Sequence, residues 1–449
     1  MNRLIETIRN IFKIEELRKR ILFTILIILV YRFGSFVVIP GIDPNQLSAL
    51  RNSSSQGLLG LLNMFSGGAF GNASVFALGI MPYITASIII QLLGMAVPYF
   101  QRLQKEGESG RKKLNQIMRY LTVFIVIVQA PGYIKNVLVQ LPKSAVTPFD
   151  GVSGPGTFFW VSSVILLIAG TLFIMWLGEK ITDRGIGNGI SLIIMIGIIA
   201  RLPGAFAGEC AARFAQGGVG MLWLVIELIV LFFVMVGTIA LVQGTRKIPV
   251  QYAKRVVGNR QYGGVRQYIP LKVNAAGVMP IIFAQAIMFL PITIAGFRQS
   301  EALTGFAAAF TNVNGFWYNL VFFVMIIAFT YFYTAVTMNT NQMAEDIKKN
   351  GGFIPGVKPG KKTAEYLDTI MSRITLPGSI FLGLVAIMPA IVSLMGVSSA
   401  FSHFYGGTSL LILVGVVLDT LQQIESHLLM HHYDGLTKTG RIKGRIGRM

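Results

Sequence analysis

Three charged residues fall inside apolar stretches of this 449-residue chain and are the first candidates for chemistry: Arg32, Glu227 and Asp419. Ionisable groups at membrane depth are costly, and they often mark proton relays or ion sites. Arg32 lies in the outer half of its stretch and Asp419 near the inner end of another, so only Glu227 is predicted to lie deep. A proton-coupled carrier normally shows more acids or an acid–His relay. A secondary transporter of a small solute is therefore the weaker, alternative interpretation.

Two short motifs have the spacing of a cofactor or metal site, but each stands in the wrong context. The glycines of 185–189, GIGNG, resemble a dinucleotide fingerprint, which requires a preceding strand rather than an apolar span. We expect them to allow a tight turn and close helix packing. His427 and His431 could place two metal ligands on one helical face, but a surface helix end is favoured. Without a GxxxxGK[ST] loop or a recognisable Ser, His and Asp set, the sequence predicts no enzyme, cofactor or metal.

The elements that position any site must be membrane helices. Apolar residues make up 53% of the chain and charged residues 13%, whereas soluble domains carry about a quarter charged residues. The mean hydropathy of +0.64 points the same way. Cys210 is the single cysteine, so no internal disulfide can form and cysteine gives no information on the compartment.

Ten stretches reach the length of about 20 apolar residues that a spanning helix needs. They are 20–39, 73–97, 114–139, 157–177, 186–202, 219–242, 273–295, 317–338, 374–394 and 404–424. The segments on the side of the two termini carry 6, 6, 2, 7, 6 and 5 Lys or Arg residues, which is 32 of the 39, and the other side carries six. Because Lys and Arg accumulate in cytoplasmic loops, both termini are predicted to be cytoplasmic.

Four further segments do not fit simple spans or turns. Residues 57–71 are too short and glycine-rich to cross, so we expect them to dip into a cavity from outside, with a surface loop as the alternative. The loops 244–272 and 339–373 are long and mix cations with aromatics, which suits an acidic protein face or RNA phosphates; simple enforcement of topology is the alternative. Residues 1–19 predict an amphipathic interfacial helix ahead of a retained first span, with an ordinary charged flank as the alternative.

Nine motifs, in order along the chain, carry a family resemblance. They are PGID (40–43), NMFSGGA (63–69), FALGIMPYITASIIIQLL (76–93), KEGESGR (105–111), RGIGNGIS (184–191), YAKR (252–255), PLKVN (270–274), FYTA (332–335) and GGTSLLI (406–412). With them the chain resembles the SecY family of protein-conducting channels over nearly its whole length. The resemblance implies an all-α integral membrane protein of about ten transmembrane helices in two pseudo-symmetric inverted halves, with a short re-entrant plug helix.

The resemblance also implies the residues of a gated pore. The apolar ring at its waist would consist of Ile80, Ile84, Ile190, Ile194, Ile282 and Ile412. The plug would include Leu58, Leu61, Leu62, Asn63, Met64, Phe65, Ser66, Gly67 and Gly68. The lateral gate between the second and seventh spans would include Thr85, Ser87, Gln91, Gln285 and Leu290. A ring of branched apolar side chains dewets when empty and blocks ions, yet it can admit any side chain.

The implied partners are the small membrane subunits SecE and SecG, the motor ATPase SecA, the ribosome with its rRNA, unfolded secretory and membrane polypeptides, and the bilayer of the bacterial cytoplasmic (inner) membrane. SecA and the ribosome would dock on Arg246, Lys247, Lys254, Arg255, Lys358, Lys361 and Lys362. The family typically has an arginine where this chain has Lys358, which keeps the charge without the planar fork.

The expected organisation follows from the spans and the resemblance. It comprises a cytoplasmic amphipathic amino terminus (1–19), a first five-helix half (20–202) with the plug (57–71), a periplasmic loop and sixth span (203–243), a basic cytoplasmic loop (244–272), the seventh and eighth spans (273–338), a second basic loop (339–373), the ninth and tenth spans (374–424) and a basic cytoplasmic tail (425–449).

Overall fold

The structure is a computed structural model that describes residues 14–53, 60, 63–142, 145–146, 156–252, 255–257, 260–262, 266–285, 287–288 and 315–439. Most of the predicted amino-terminal amphipathic helix lies outside these residues. So do five of the predicted site residues: Leu58, Leu61, Leu62, Lys254 and Leu290.

Helices dominate the described chain. They are α1 (Glu15–Gly34), α2 (Ser48–Ser53), α3 (Met81–Ala96), α4 (Pro98–Lys105), α5 (Glu108–Gln140), α6 (Thr157–Arg184), α7 (Gly189–Ala215), α8 (Gly218–Gln243), α9 (Phe316–Thr337), α10 (Thr340–Lys349), α11 (Lys361–Leu394), α12 (Ser399–Ser402) and α13 (Gly407–Thr439). Two short 3-10 turns, Pro44–Gln46 and His403–Tyr405, lie between them.

Among the described residues, seven helices are long and apolar enough to cross a membrane, or eight if α3 and α4, bent by 104° at their junction, count as one span. α1 corresponds to the predicted first span but carries charges at both ends. Residues 279–285 are helical and lie within the predicted seventh span. The observed helices agree with the predicted all-α membrane fold of about ten spans. That fold, with its two inverted halves, is the one implied by the resemblance.

The chain between the fifth and sixth spans differs from the expected periplasmic loop. α7 continues to Ala215, and only a two-residue turn separates it from α8. Gly217 in that turn has φ of +76°, and a Cβ on Gly220 would lie 2.1 Å from the carbonyl oxygen of Arg213. Glycine is the residue that permits both features. The two helices consequently form a tight hairpin rather than ending near residue 202.

The two basic loops contain β-structure that the sequence did not predict. β1 (Thr245–Tyr252) pairs antiparallel with β4 (Arg266–Lys272) and with β5 (Gly352–Phe353), giving the order β4-β1-β5. β2 (Arg255–Val257) and β3 (Arg260–Tyr262) form a hairpin between them. The sheet has its own apolar core with α10 and α11, which includes Ile248, Val250, Ile347, Ile354 and Leu367. Because β1 and β5 come from different loops, both loops belong to one body.

Candidate functional site

The described part of the predicted plug, which we call the plug below, is a compact glycine-rich turn. Asn63–Phe65 form one helical turn, and Gly67 and Gly68 follow with φ of +65° and +92°. The buried side chain of Asn63 accepts a hydrogen bond from the Gly71 amide over 2.9 Å. The backbone carbonyl oxygen of Asn63 accepts another from the Gly68 amide over 2.8 Å. These internal bonds give the segment a shape of its own without extended secondary structure.

Three side chains from two spans hold the plug by its backbone carbonyls. On α1, the Tyr31 hydroxyl donates to the Ser66 oxygen over 3.2 Å, and Arg32 Nη1 donates to the Gly67 oxygen over 2.8 Å. On α5, the Tyr133 hydroxyl donates to the Phe70 oxygen over 2.8 Å. Of these three residues, only Arg32 was a candidate from the sequence; Tyr31 and Tyr133 were not. A buried tyrosine hydroxyl in an apolar span needs a partner, and that was the available signal.

The backbone of the plug rests directly on α7. A Cβ added to Gly197 would lie 3.1 Å from both the Gly67 amide nitrogen and the Phe65 carbonyl oxygen. Such contacts are tighter than side-chain carbons usually make, so Gly197 allows the plug to approach the helix closely. Gly197 could not be predicted from the sequence, because one glycine in a glycine-rich chain has no distinguishing pattern.

Five of the six predicted ring residues lie in one apolar cluster with the plug. Ile80, Ile194 and Ile412 are buried there together with Met64 and Phe65. Ile84 and Ile190 are partly buried against the same cluster, which draws residues from α1, α3, α6, α7, α11 and α13. The cluster therefore contains buried apolar side chains from both predicted halves.

Two of the predicted ring residues, Ile80 and Ile282, differ from the prediction. Ile80 is the N-cap of α3 rather than part of a continuous helix from residue 73, although the Ile84 amide still bonds to its carbonyl oxygen over 3.1 Å. Ile282 is half-buried and is not among the described members of the cluster. The sixth position of the ring is therefore not brought together with the others.

One predicted gate residue on α3, Gln91, contacts the opposite half. Gln91 Nε2 donates to Ser87 Oγ over 3.4 Å, and Gln91 Oε1 accepts from the Tyr333 hydroxyl of α9 over 3.4 Å. The Tyr333 ring also packs against Phe283 of the seventh stretch, with centroids 6.2 Å apart. The long hydrogen bond between Tyr333 and Gln91 crosses the seam between α3 and the second half, and the aromatic contact fixes the Tyr333 ring within the second half.

The remaining gate residues in the described chain are less engaged. Thr85 bonds its own helix at the Met81 carbonyl oxygen over 3.1 Å, and Gln285 is half-buried. A polar side chain that bonds only its own helix adds no contact across the seam. Of the described gate residues, Gln91 carries the contact between the halves.

A buried ionic cluster ties α7 to α8 and to residues 396–398 of the second half. Arg213 Nε donates to Glu209 over 3.0 Å, its Nη2 contacts Glu227, and the same Nη2 donates to the Gly396 carbonyl oxygen over 3.0 Å. Glu209 also accepts from the Ser398 amide over 2.9 Å. The deep Glu227 is thus a partner in a structural cluster. Its partners Glu209 and Arg213 were not predicted, because residues 203–215 have the composition of a loop.

Five of the predicted docking cations lie on the body formed by both basic loops. Arg246 and Lys247 are exposed on β1, and Lys358 and Lys361 are exposed at the start of α11. Lys362 forms an exposed ion pair with Glu365 over 2.8 Å. Arg255 begins β2. Because β1 pairs with β5, a partner that contacts one loop meets the other within the same surface.

The glycine motif at 185–189 is packed between helices. Gly187 has φ of +83° and its amide donates to Gln423 over 2.9 Å, while a Cβ on Gly189 would lie 2.0 Å from the Gly178 carbonyl oxygen. The motif is therefore a close-packed turn between α6 and α7. Within the part of the chain that the structure describes, no group of three His, Cys, Asp or Glu could hold a metal.

The chain is similar to proteins of one known family. Residues 74–421 match the SecY family model. The protein translocase subunit SecY of Streptomyces coelicolor is 44% identical over 441 residues, covering 95% of this chain and 98% of that protein. The Chlamydia trachomatis subunit of the same name is 41% identical over 458 residues, covering 98% and 99% of the two chains.

Two solved structures share the fold at low identity. One, described as the structure of a protein conducting channel, has a TM-score of 0.59 and 17% identity over 95% of each chain. Another, described as showing that the plug domain of SecY stabilises the closed state of the translocation channel, has a TM-score of 0.60 and 18% identity over 95% of each chain. At these identities the likeness concerns the fold alone.

Proposed function

This chain belongs to the SecY family, and on that premise we propose that it is the channel-forming subunit of a protein translocase. It conducts unfolded polypeptides across the cytoplasmic membrane and releases apolar helices sideways into lipid. It is a multi-pass membrane protein, and the distribution of Lys and Arg supports cytoplasmic termini. The transporter of a small solute is not favoured, since Glu227 is held in an ionic cluster with Arg213 and Glu209.

The observation that carries the proposal is the seat of the plug on the isoleucines. Met64 and Phe65 pack in one buried cluster with Ile80, Ile194 and Ile412. An apolar constriction excludes water and ions when it is empty, and it has no fixed charge or hydrogen-bonding group that would select among side chains. Such a waist suits a passage that must close against ions and open for any polypeptide sequence.

The polar contacts around the plug support a removable barrier. Three hydrogen bonds to its backbone carbonyls, from Tyr31, Arg32 and Tyr133, stabilise the seated position. A hydrogen bond of this kind contributes about 0.5–1.5 kcal/mol net, or about 1.5–3 kcal/mol when a charged group donates. A few such bonds keep the plug in place, and a chain entering the pore can break them without unfolding the surrounding helices.

The seam at Gln91 and Tyr333 supports a sideways exit. Their contact is a long neutral hydrogen bond, so it opposes separation of the halves only weakly. An apolar signal helix that enters the seam gains about 0.8 kcal/mol for each methylene transferred from water to lipid. That gain exceeds the loss of the seam contact after a few methylenes.

Energy and targeting come from partners that dock on the cytoplasmic body. The exposed cations of β1 and α11 suit the acidic faces of SecA and the rRNA phosphates of the ribosome. SecE and SecG are the membrane subunits that the family membership implies. The channel itself is proposed to be passive, with the motor or the ribosome supplying the drive.

Vesicles test both exits. Purified chain with its companion subunits is reconstituted, and SecA, ATP and a secretory precursor are added; we expect the precursor to become protected from external protease. Gln91→Cys and Tyr333→Cys, in a Cys210→Ser background, are then joined by a bismaleimide, which should block uptake. Each single-cysteine variant, treated in the same way, is the control. Normal uptake with the pair fully crosslinked contradicts the gate, and no uptake by any form contradicts the channel.

A further inference from the structure

A cavity of about 410 Å³ lies against the plug and is lined by four basic side chains. Asn63, Met64, Gly67 and Gly68 form its plug side, and α1, α7 and residues 400–404 form the rest. Its basic groups are Arg32, Arg51, Arg201 and His403. No acidic residue is among the described residues that line it. We call it the plug cavity.

Two of the three arginines each donate one hydrogen bond within the described residues. Arg32 donates from Nη1 to the Gly67 oxygen, and Arg51 donates from Nε to Asn72 Oδ1 over 3.0 Å. A guanidinium has five N–H donors and stays charged at every physiological pH. Both groups therefore keep donors that can face the cavity.

The third arginine and the histidine have no partner in the part of the chain that the structure describes. Arg201 is half-buried and forms no hydrogen bond or ion pair there. His403 Nε2 is buried and unbonded. Burial and the nearby Arg201 charge lower the pKa of His403 to about 4, so its imidazole is neutral at pH 7. A neutral imidazole adds a hydrogen-bonding nitrogen without adding repulsion.

The positive charges of Arg32 and Arg201 share the plug cavity, and no carboxylate among its described lining residues compensates them. Arg32 and Arg201 line the same cavity, so their two positive charges repel each other. Partly buried charges are screened far less than exposed ones, and an uncompensated buried charge is costly. Since neither guanidinium can lose its proton, the missing element is a negative charge with several acceptor lone pairs.

We propose that the plug cavity binds a small inorganic anion, in the size range from chloride to sulfate, between Arg32 and Arg201 and within reach of His403. Arg32 also holds the Gly67 carbonyl. The anion removes the repulsion that pushes Arg32 away from α7, and it thereby stabilises the seated plug. This effect on the plug rests on the proposed channel function, whereas the binding site does not.

The site is tested directly by crystals of the complete complex grown with bromide in place of chloride. We expect an anomalous scattering peak in the plug cavity, within contact distance of the Arg32 and Arg201 guanidinium groups. Arg201→Gln should abolish the peak. Lys135→Gln removes the same charge from an exposed position of α5 and should leave it unchanged. Wild-type crystals without a peak in the cavity overturn the proposal, whether or not Arg201→Gln folds.

The effect on the plug needs a separate measurement. Closed times of single channels are recorded in chloride and in bulky lactobionate at equal ionic strength. Replacing chloride should shorten the closed times of the wild-type channel about tenfold and leave those of Arg201→Gln unchanged. Equal responses of the two channels refute the coupling to the plug, and the bromide peak then decides the site independently.

Discussion

Arg32 Nη1 donates a hydrogen bond to the Gly67 carbonyl oxygen over 2.8 Å, and the preceding residue, Tyr31, donates to the preceding carbonyl, that of Ser66. Two consecutive residues of α1 thus hold two consecutive carbonyls of the plug. The contacts use backbone acceptors, which every sequence supplies. The position of the plug accordingly depends on the donors of the surrounding helices and on the space they leave for its backbone.

The first prediction concerns the space that α7 leaves for the plug backbone at Gly197. Gly197→Ala places a methyl group 3.1 Å from two plug backbone atoms, and overpacking of this kind costs about 1–3 kcal/mol. We expect the closed-to-open ratio of the resting channel to fall about tenfold, measured as ion conductance in planar bilayers. Gly208→Ala is the control, because it lies on the same helix with no atom within 4 Å of the added carbon. Equal conductance for both variants would show that the plug does not rest on Gly197.

The second prediction concerns the anchor on α5. Tyr133→Phe removes only the hydroxyl and leaves the buried Phe70 carbonyl without its donor, which costs about 1–3 kcal/mol. Resting ion conductance should rise about tenfold, while export of a precursor continues. Tyr120→Phe, an exposed tyrosine on the same helix, should behave as wild type. An unchanged conductance for Tyr133→Phe would show that the bond from Tyr133 to Phe70 does not stabilise the closed channel.

The third prediction concerns the buried ionic cluster. Arg213→Met leaves Glu209 and Glu227 buried without their cation, and breaking such a pair costs about 3–5 kcal/mol. We expect a clearly lower unfolding temperature of the purified chain in detergent. Adding Glu209→Gln and Glu227→Gln to Arg213→Met should restore part of the loss, because the unpaired charges are gone. A triple variant no more stable than the single one would argue against the cluster as the cause.

The fourth prediction concerns docking. Arg246→Glu with Lys247→Glu reverses two exposed charges on β1, so the motor ATPase should bind about tenfold more weakly at low salt. The difference should shrink as salt is added, because exposed charges are screened. Lys112→Glu with Lys113→Glu makes the same charge change at the exposed start of α5 and is the control. Equal loss in both variants would indicate a general charge effect.

The membrane body could be predicted from the sequence because hydropathy and loop charge depend on single segments. The α7–α8 hairpin could not, since residues 203–215 contain Glu209 and Arg213 and look like a loop until Glu227 supplies the buried partner. Ion pairing between distant residues leaves no local pattern. The charges that suggested an exposed segment are neutralised across two helices.

The sheet of the basic loops was missed for a related reason. β1 alternates buried Ile248 and Val250 with exposed neighbours, but its core comes from α10 and α11, a hundred residues away in the chain. The plug contacts also escaped prediction. Tyr31, Tyr133 and Gly197 act on backbone atoms of another segment, so their residue types alone do not point to it.

The most direct test follows a polypeptide through the isoleucine waist. In a Cys210→Ser background, single cysteines replace Ile190 or Ile194, and a precursor with one cysteine is arrested during export by a folded domain at its end. We predict disulfide adducts at both ring positions. A cysteine at Ile199, which is exposed on the same helix, should form none. Adducts at Ile199 but not at the ring would contradict passage through the waist.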